Sequence, residues 1–250
     1  MLNSWLQQSK IEILRNTRNR RFFFFSLFLP VGFYLLYVNL LGGQMKLEGT
    51  TWATYYMMSM ATFSVVGAGL NGLSARIAFE RTQGWLRLVQ TTPLRPIHYI
   101  TTKIVANLLI NMSEVIVLFI VGGVIEHVHL TPLQWILSGV WIAFGGLAFI
   151  VLGILIGQLA GLDASQIIAS AVYFILSILG GLWFPVSTMP SLMKHVAELM
   201  PTYHLAHVAW QLVSGKSPSL TDFAVLSGYF IVFVGIALWV TARRTDVRVA

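Results

Sequence analysis

The sequence contains no cysteine among its 250 residues, and only 10% of those residues are charged. Without cysteine there is no disulfide framework, no thiolate metal site and no cysteine nucleophile. So few charged residues cannot cover the surface of a water-soluble domain, whereas 56% of the residues are hydrophobic. The mean hydropathy is +0.76, so the composition indicates a protein that is solvated by lipid.

Basic residues outnumber acidic ones, and the formal net charge is +7. A basic protein can bind nucleic acid, but here the positions of the charges favour another explanation. Of the 16 lysines and arginines, 13 lie before the first long apolar run, within residues 76–103, or after the last run. This asymmetry is typical of the cytoplasmic side of a membrane protein. We therefore expect both termini in the cytoplasm and no nucleic-acid partner.

Six apolar stretches are each long enough to cross a bilayer as a helix, which takes about 20 residues. They predict an all-α membrane protein, with residues 1–250 forming a single transmembrane domain. The predicted spans are residues 22–41, 52–75, 104–125, 136–156, 166–184 and 222–242.

Two segments outside the spans also have helical features. Residues 1–21 are basic and have an imperfect apolar face, so they predict either an amphipathic helix on the cytoplasmic membrane surface or a solvated tail. Residues 185–221 predict short extracytoplasmic helices before the last span, because apolar residues keep helical spacing on both sides of Pro201.

A polar stretch, residues 80–96, separates the second and third predicted spans. Thr82 is a predicted N-cap, Leu86 and Val89 form an apolar pair three residues apart, and Pro93 ends the run. A short cytoplasmic helix that is joined directly to two spans predicts a surface on which another protein can act.

Two of the carboxylates in or near predicted spans have a predicted role. Glu114 is near the middle of the third span, where a charge is costly, so we expect it to be protonated, paired or directed at a polar cavity. It predicts either a substrate or proton contact, or a structural hydrogen bond to Asn71, Asn107 or Asn111. Asp163 is predicted to cap the fifth span.

Three glycines recur every four residues from the fourth span onward: Gly153, Gly157 and Gly161. Glycines at this spacing line one helix face and allow a neighbouring helix to approach closely. The pattern predicts either a seam between two copies of the chain or packing within one bundle.

Histidines in the outer segment do not predict a metal site. His195, His204 and His207 have only Glu198 as an obvious additional ligand, so polar residues at the membrane interface are the favoured interpretation. We expect no metal in this chain.

The sequence offers no clear enzyme site. Gly215-Lys216-Ser217 resembles the end of a phosphate-binding P-loop, but Trp210 stands where that motif requires glycine. No nucleophile, base and acid have the spacing of a catalytic arrangement. We therefore expect no catalytic residue and no cofactor in this chain.

Two motifs make the sequence similar to permease subunits of the type-2 ATP-binding-cassette exporters. The polar stretch resembles the Glu-Arg-x-x-Gly-x-Leu and Thr-Pro pattern of that family, and the outer segment resembles its signature before the last span. Trp85 replaces a residue that is usually small or hydroxylated, and Arg87 replaces a commonly acidic one. The matching residues are Glu80, Arg81, Gly84, Leu86, Thr92 and Pro93, and then Gly181, Phe184, Pro185, Met189, Pro190, Pro201 and Tyr203.

The resemblance implies how such a permease would work. The polar stretch would be a coupling helix that docks in a groove of a separate ATPase, present in two copies, which holds ATP and magnesium. The permease would pair with a second copy, as a homodimer, or with a homologous permease in a bacterial inner membrane. The implied coupling residues are Glu80, Arg81, Gly84, Trp85, Leu86, Val89, Thr92 and Pro93.

The function predicted on this basis is ATP-driven export of an amphiphilic or hydrophobic compound, such as a drug, an antibiotic or a lipid-like molecule. Export of a polysaccharide or lipid-linked glycan is an alternative, and a non-transporting membrane sensor or scaffold is another. We expect the route to lie at the dimer interface, lined by the first, second and fifth spans. The candidate path residues are Tyr55, Tyr56, Phe63, Glu114, Tyr173 and Phe174.

The division of basic residues predicts the membrane topology, and the absence of cysteine makes that prediction easy to test. In single-cysteine variants, Gln83→Cys should react with an impermeant maleimide only after the cells are opened. Lys46→Cys and Lys216→Cys should react in intact cells. Labelling of Gln83→Cys from outside intact cells would contradict the topology.

Overall fold

The computed structural model describes Glu12, residues 20–84 and residues 96–246. Most of the predicted interfacial helix and residues 85–95 therefore lie outside the described residues. The described chain is helical apart from one short antiparallel hairpin, in which Lys46 pairs with Thr51. The all-α fold predicted from the sequence is confirmed.

The elements follow one another with short connections. In chain order they are α1 (Arg20–Leu41), β1 (Lys46–Leu47), β2 (Thr50–Thr51), α2 (Trp52–Gly67), a π-helical turn (Ala68–Gly72), α3 (Leu73–Thr82), α4 (Pro96–Val124), α5 (Pro132–Gly145), α6 (Leu147–Leu159), α7 (Leu162–Leu179), a 3-10 turn (Val186–Thr188), α8 (Ser191–Ala197), α9 (Pro201–Val213) and α10 (Leu220–Asp246).

Within the described residues, four helical stretches are long and apolar enough to cross a membrane, and they correspond to the last four predicted spans. The first two predicted spans are also helical, but they do not meet the same criterion. Ser26–Leu41, the apolar part of α1, is short, and α2 contains many hydroxylated residues. The count of six spans stays a prediction. The four stretches are Thr101–Val124, Pro132–Leu159, Leu162–Leu179 and Leu220–Val240.

Helix α2 forms the centre of the bundle. Every residue from Trp52 to Val66 is buried, and α1, α4, α5, α7 and α9 all pack against this helix. A helix that is surrounded by other helices has no lipid-facing side, so its serines and threonines are enclosed by protein. The N-cap of this helix is Thr51, whose hydroxyl oxygen accepts a hydrogen bond from the Thr54 amide.

The π-helical turn and α3 continue α2 without a break and pack directly on α6. A Cβ atom added to Gly153 would overlap the carbonyl oxygen of Gly69. At Gly157 an added Cβ would lie 2.5 Å from the Ser74 carbonyl oxygen, whereas Gly161 has nothing within 4 Å. Two of the three predicted packing glycines therefore bring backbones together inside one chain.

Several predicted boundaries need correction. The fourth predicted span is two helices, α5 and α6, which meet at Gly146. The fifth begins earlier than predicted, at Leu162, and its N-cap is Gly161. The predicted capping role of Asp163 is therefore wrong. Asp163 lies in the first turn of α7, where a negative charge interacts favourably with the helix dipole.

The outer segment forms short helices on both sides of Pro201, as the apolar spacing predicts. Two tryptophan hydrogen bonds attach helix α9 to its neighbours. The Trp141 indole donates to the Leu205 carbonyl at 2.8 Å, and the Trp210 indole donates to the Ser59 hydroxyl at 3.1 Å. Helix α9 therefore packs between α5 and α2.

The close approach at Gly153 predicts a sensitive position. Gly153→Ala should destabilise the detergent-solubilised protein, because its new methyl group would collide with backbone and overpacking costs about 1–3 kcal/mol. Gly235→Ala in α10 is the matched control, since an added Cβ there has nothing within 4 Å. Thermal unfolding should show a lower Tm for Gly153→Ala only. Equal values for both variants would contradict the backbone contact.

Candidate functional site

Helix α3 ends at the start of the predicted coupling stretch. Gly84 has a φ of +70°, a conformation that glycine adopts easily and that commonly ends helices. Thr82 is the last helical residue, and its hydroxyl donates to the Phe79 carbonyl at 2.8 Å. The predicted N-cap role of Thr82 is therefore wrong, because this residue closes the preceding helix. Gly84 of the family motif supplies the helix stop.

Four charged side chains meet at the end of α3, and we call them the ion cluster: Glu12, Arg76, Glu80 and Lys103. The Lys103 ammonium, from α4, donates to the Glu80 carboxylate at 2.6 Å and to the Glu12 carboxylate at 2.7 Å. The Arg76 guanidinium lies 3.5 Å from Glu12. Each buried carboxylate of the cluster has a cation in contact, which makes its burial tolerable.

Arg81 contacts a different helix from its neighbour Glu80. Its guanidinium donates to the carbonyl oxygens of Gln158 and Ala160, at the C-terminal end of α6. Carbonyls in the last turn of a helix have no partner within that helix, and a cation suits the negative end of the helix dipole. The Glu-Arg pair therefore joins the end of α3 to both α4 and α6.

The docking role of five other predicted coupling residues stays a prediction, because they lie outside the described residues. They are Trp85, Leu86, Val89, Thr92 and Pro93.

Two of the predicted path residues, Tyr55 and Tyr56, lie in the interior of the chain. The Tyr55 ring stacks on Trp210 with centroids 4.6 Å apart. The Tyr56 ring stacks on Trp52 at 5.0 Å and contacts Tyr37 at 5.3 Å. These rings fix α9 and α1 to α2, so within one copy of the chain they are enclosed.

Three other path residues belong to a second group of rings, the aromatic cluster: Phe33, Phe63, Tyr173, Phe174 and Trp183. Phe63 stacks on Tyr173 at 4.5 Å, and Trp183 lies 4.8 Å from Phe33. Phe174 is 40% exposed, so the cluster opens to the surface at its edge. The Trp183 indole nitrogen is buried and has no hydrogen-bond partner among the described residues.

Glu114 is fully buried between three helices. One carboxylate oxygen accepts a hydrogen bond from Ser26 of α1, and the other accepts one from Ser64 of α2, both at 2.8 Å. The predicted asparagine partners are wrong, because serine hydroxyls contact both oxygens. The arrangement matches the structural alternative, since it joins α1, α2 and α4.

Asp222, at the start of α10, contacts two of the outer histidines. Its carboxylate oxygens lie 2.6 Å from Nδ1 of His204 and 2.8 Å from Nδ1 of His207. The second ring nitrogen of His204 lies 2.8 Å from the Glu198 carbonyl oxygen. Burial, and then the nearby Asp222 charge, raise the pKa of Tyr203 to about 12, so its hydroxyl stays protonated.

The contacts around Asp222 join α9 to α10. Sequence spacing does not predict these contacts, because Asp222 is 18 positions from His204 and 15 from His207 and lies within the predicted last span. In the part of the chain that the structure describes, no group of three or more histidine, cysteine or acidic residues is arranged to hold a metal ion.

Comparison with known proteins gives two matches. A family model described as "ABC-2 family transporter protein" matches residues 44–239. The chain belongs to the ABC-2 transporter family. It is also 32% identical over 246 residues to "Putative transport permease YvfS" of Bacillus subtilis (strain 168), covering 98% of this chain and 100% of that protein. Both matches extend over most of the chain.

Membership confirms the resemblance seen in the two motifs. It makes this chain a transport permease in the membrane, and family membership implies an ATP-binding-cassette ATPase as its partner. In this permease, the motif residues Glu80, Arg81 and Gly84 end the helix that leads from the centre of the bundle to the coupling stretch.

Substitutions of Glu114 can distinguish a structural hydrogen bond from a substrate or proton contact. Glu114→Gln should keep both stability and transport, because an amide can still bond to two serine hydroxyls, which donate or accept. Glu114→Leu should lower the Tm, because the buried Ser64 hydroxyl loses its Glu114 acceptor, at a cost of about 1–3 kcal/mol. Thermal unfolding and a transport assay of both variants provide the check. Normal stability with abolished transport in Glu114→Gln would instead indicate a proton or substrate role.

Proposed function

We propose that this permease is the transmembrane subunit of an ATP-driven exporter of amphiphilic or hydrophobic compounds. The open edge of the aromatic cluster is the observation that carries the proposal. Ring walls bind apolar compounds through buried area and shape, and one methylene group changes such binding by only about 1–3 kcal/mol. A site of this kind suits a set of related amphiphiles better than a single polar substrate.

The Trp183 indole supports an amphiphile over a pure hydrocarbon. Its nitrogen is a buried donor that no described residue bonds, and its ring lies 6.3 Å from that of the exposed Phe174. An unsatisfied buried donor costs about 1–3 kcal/mol, which an acceptor group on a bound compound would recover. We expect transported compounds to combine an apolar body with a hydrogen-bond acceptor.

The energy would come from another chain. ATP and magnesium would bind to two copies of the partner ATPase, and a second permease copy would complete the route. Phe174 in α7 and Phe184 after it are both exposed, so this side of the bundle can meet the second copy. The predicted setting is a bacterial inner membrane, with the termini and the coupling stretch on the cytoplasmic side.

Coupling is assigned to residues 80–93, with Trp85 as the anchor on the ATPase. Large aromatic side chains often dominate protein interfaces, and truncating such a residue commonly costs at least about 2 kcal/mol of binding. That loss corresponds to a reduction in affinity of about 30-fold.

Trp85→Ala should therefore weaken ATPase binding, or leave ATP hydrolysis uncoupled from export. The permease and its ATPase would be purified together and reconstituted in proteoliposomes, with ATP-dependent movement of an amphiphilic dye as the readout. Trp239→Ala is the matched control, because Trp239 lies in α10 and its side chain is 55% exposed.

Unchanged complex yield and dye export in Trp85→Ala would contradict the assigned coupling role. A wild-type complex that moves a lipid-linked glycan but no amphiphile would favour the alternative substrate class. A chain that binds no ATPase would favour a sensor or scaffold.

A further inference from the structure

The helices on either side of the coupling stretch (residues 80–96), α3 and α4, are joined by a buried ion pair. Helix α3 leads into residues 85–95, and α4 follows them. The Lys103 ammonium of α4 lies 2.6 Å from the Glu80 carboxylate of α3, and both side chains are at most 3% exposed. Water screens such a pair very little, so it holds its two helices together more strongly than a surface pair would.

The same ammonium also contacts Glu12, which precedes α1 in the chain. Glu12 lies 2.7 Å from Lys103, although 91 positions separate the two residues in the sequence. Lysine suits this position, because its ammonium is a compact charge with three donors and can serve two carboxylates at once. Without that charge, both carboxylates would lose the cation that they share, although Arg76 would still lie beside Glu12.

Arg81 fixes the same helix end in another direction. Its bonds to the Gln158 and Ala160 carbonyls attach α3 to the end of α6, one residue from the Glu80 contact. The last turn of α3 is thus held by two independent sets of charged contacts. A segment held in this way transmits a displacement, whereas a loosely attached one absorbs it.

We propose that Lys103 is a positioning residue that holds α3, α4 and Glu12 as one unit. A displacement of the coupling stretch then moves α3 and α4 together. This inference rests on the proposed function in one respect, namely that an ATPase supplies the displacement. The positioning itself can be measured without the ATPase.

The first measurement uses a spin label at Gln83, which is exposed and lies three residues after Glu80. Because the chain has no cysteine, Gln83→Cys gives a single labelling site. In Lys103→Met the mobile fraction of the label should rise at least twofold. Lys194→Met in α8 is the matched control, since Lys194 lies at the opposite end of the bundle, and it should leave the spectrum unchanged.

A double-variant comparison then tests whether Lys103 acts through Glu80. Glu80→Gln removes the charge of the partner with little change in shape. If the ion pair positions the helix ends, Glu80→Gln combined with Lys103→Met should raise the mobile fraction by less than the sum of the single effects. Additive effects would contradict the assigned pair. Should Lys103→Met fail to fold, Glu80→Gln alone still gives the label measurement.

The second measurement uses the reconstituted complex. Lys103→Met should keep ATPase binding and ATP hydrolysis, while the amount of dye exported per ATP falls at least tenfold. An unchanged label spectrum, or normal export per ATP despite a mobile label, would overturn the proposal. If the wild-type complex exports nothing, the proposed function fails, and the label measurement still decides whether Lys103 positions the stretch.

Discussion

The structure depends on the backbone contact between the long central helix and α6. Gly153 lies directly against the Gly69 backbone, and Gly157 lies against the Ser74 carbonyl oxygen and the Ile77 side chain. This contact sets where α6 ends relative to α3, and therefore brings the last carbonyls of α6 within reach of Arg81. These glycines thus bring the end of α6 close to the end of α3, where Arg81 joins the two helices.

Burial of charge follows a consistent pattern in the described residues. Each of the buried carboxylates has hydrogen-bonded partners: Glu12 and Glu80 share Lys103, Glu114 has two serines, and Asp222 has two histidines. A buried carboxylate without a hydrogen-bond donor or a counter-charge costs much more free energy than one that has such partners. Buried acids are therefore points at which separate helices must meet, and each of these four joins different segments of the chain.

The sequence predicted the features that depend on local pattern and missed those that depend on distant partners. Apolar runs of about 20 residues predicted the four helical stretches that are long and apolar enough to cross a membrane. The helical spacing of apolar residues on both sides of Pro201 predicted the short outer helices. The glycine pattern predicted a close approach, but it cannot say which helix approaches. Glu114 was expected to have a partner, yet Ser26 is 88 positions away and no periodicity points to it. For the same reason the pairing of Lys103 with Glu12 and Glu80 was not foreseen.

The central helix gives the proposed exporter a direct mechanical connection. Helix α2, the π-helical turn and α3 form a continuous rod, and at 1.5 Å per residue the distance from Phe63 to Glu80 is about 25 Å. One end of that distance lies in the aromatic cluster and the other in the ion cluster. The π-helical turn lies between them, at the one place in this rod where the helical hydrogen bonding changes. Because Gly69 of this turn lies against Gly153, motion along the rod has to involve α6 as well.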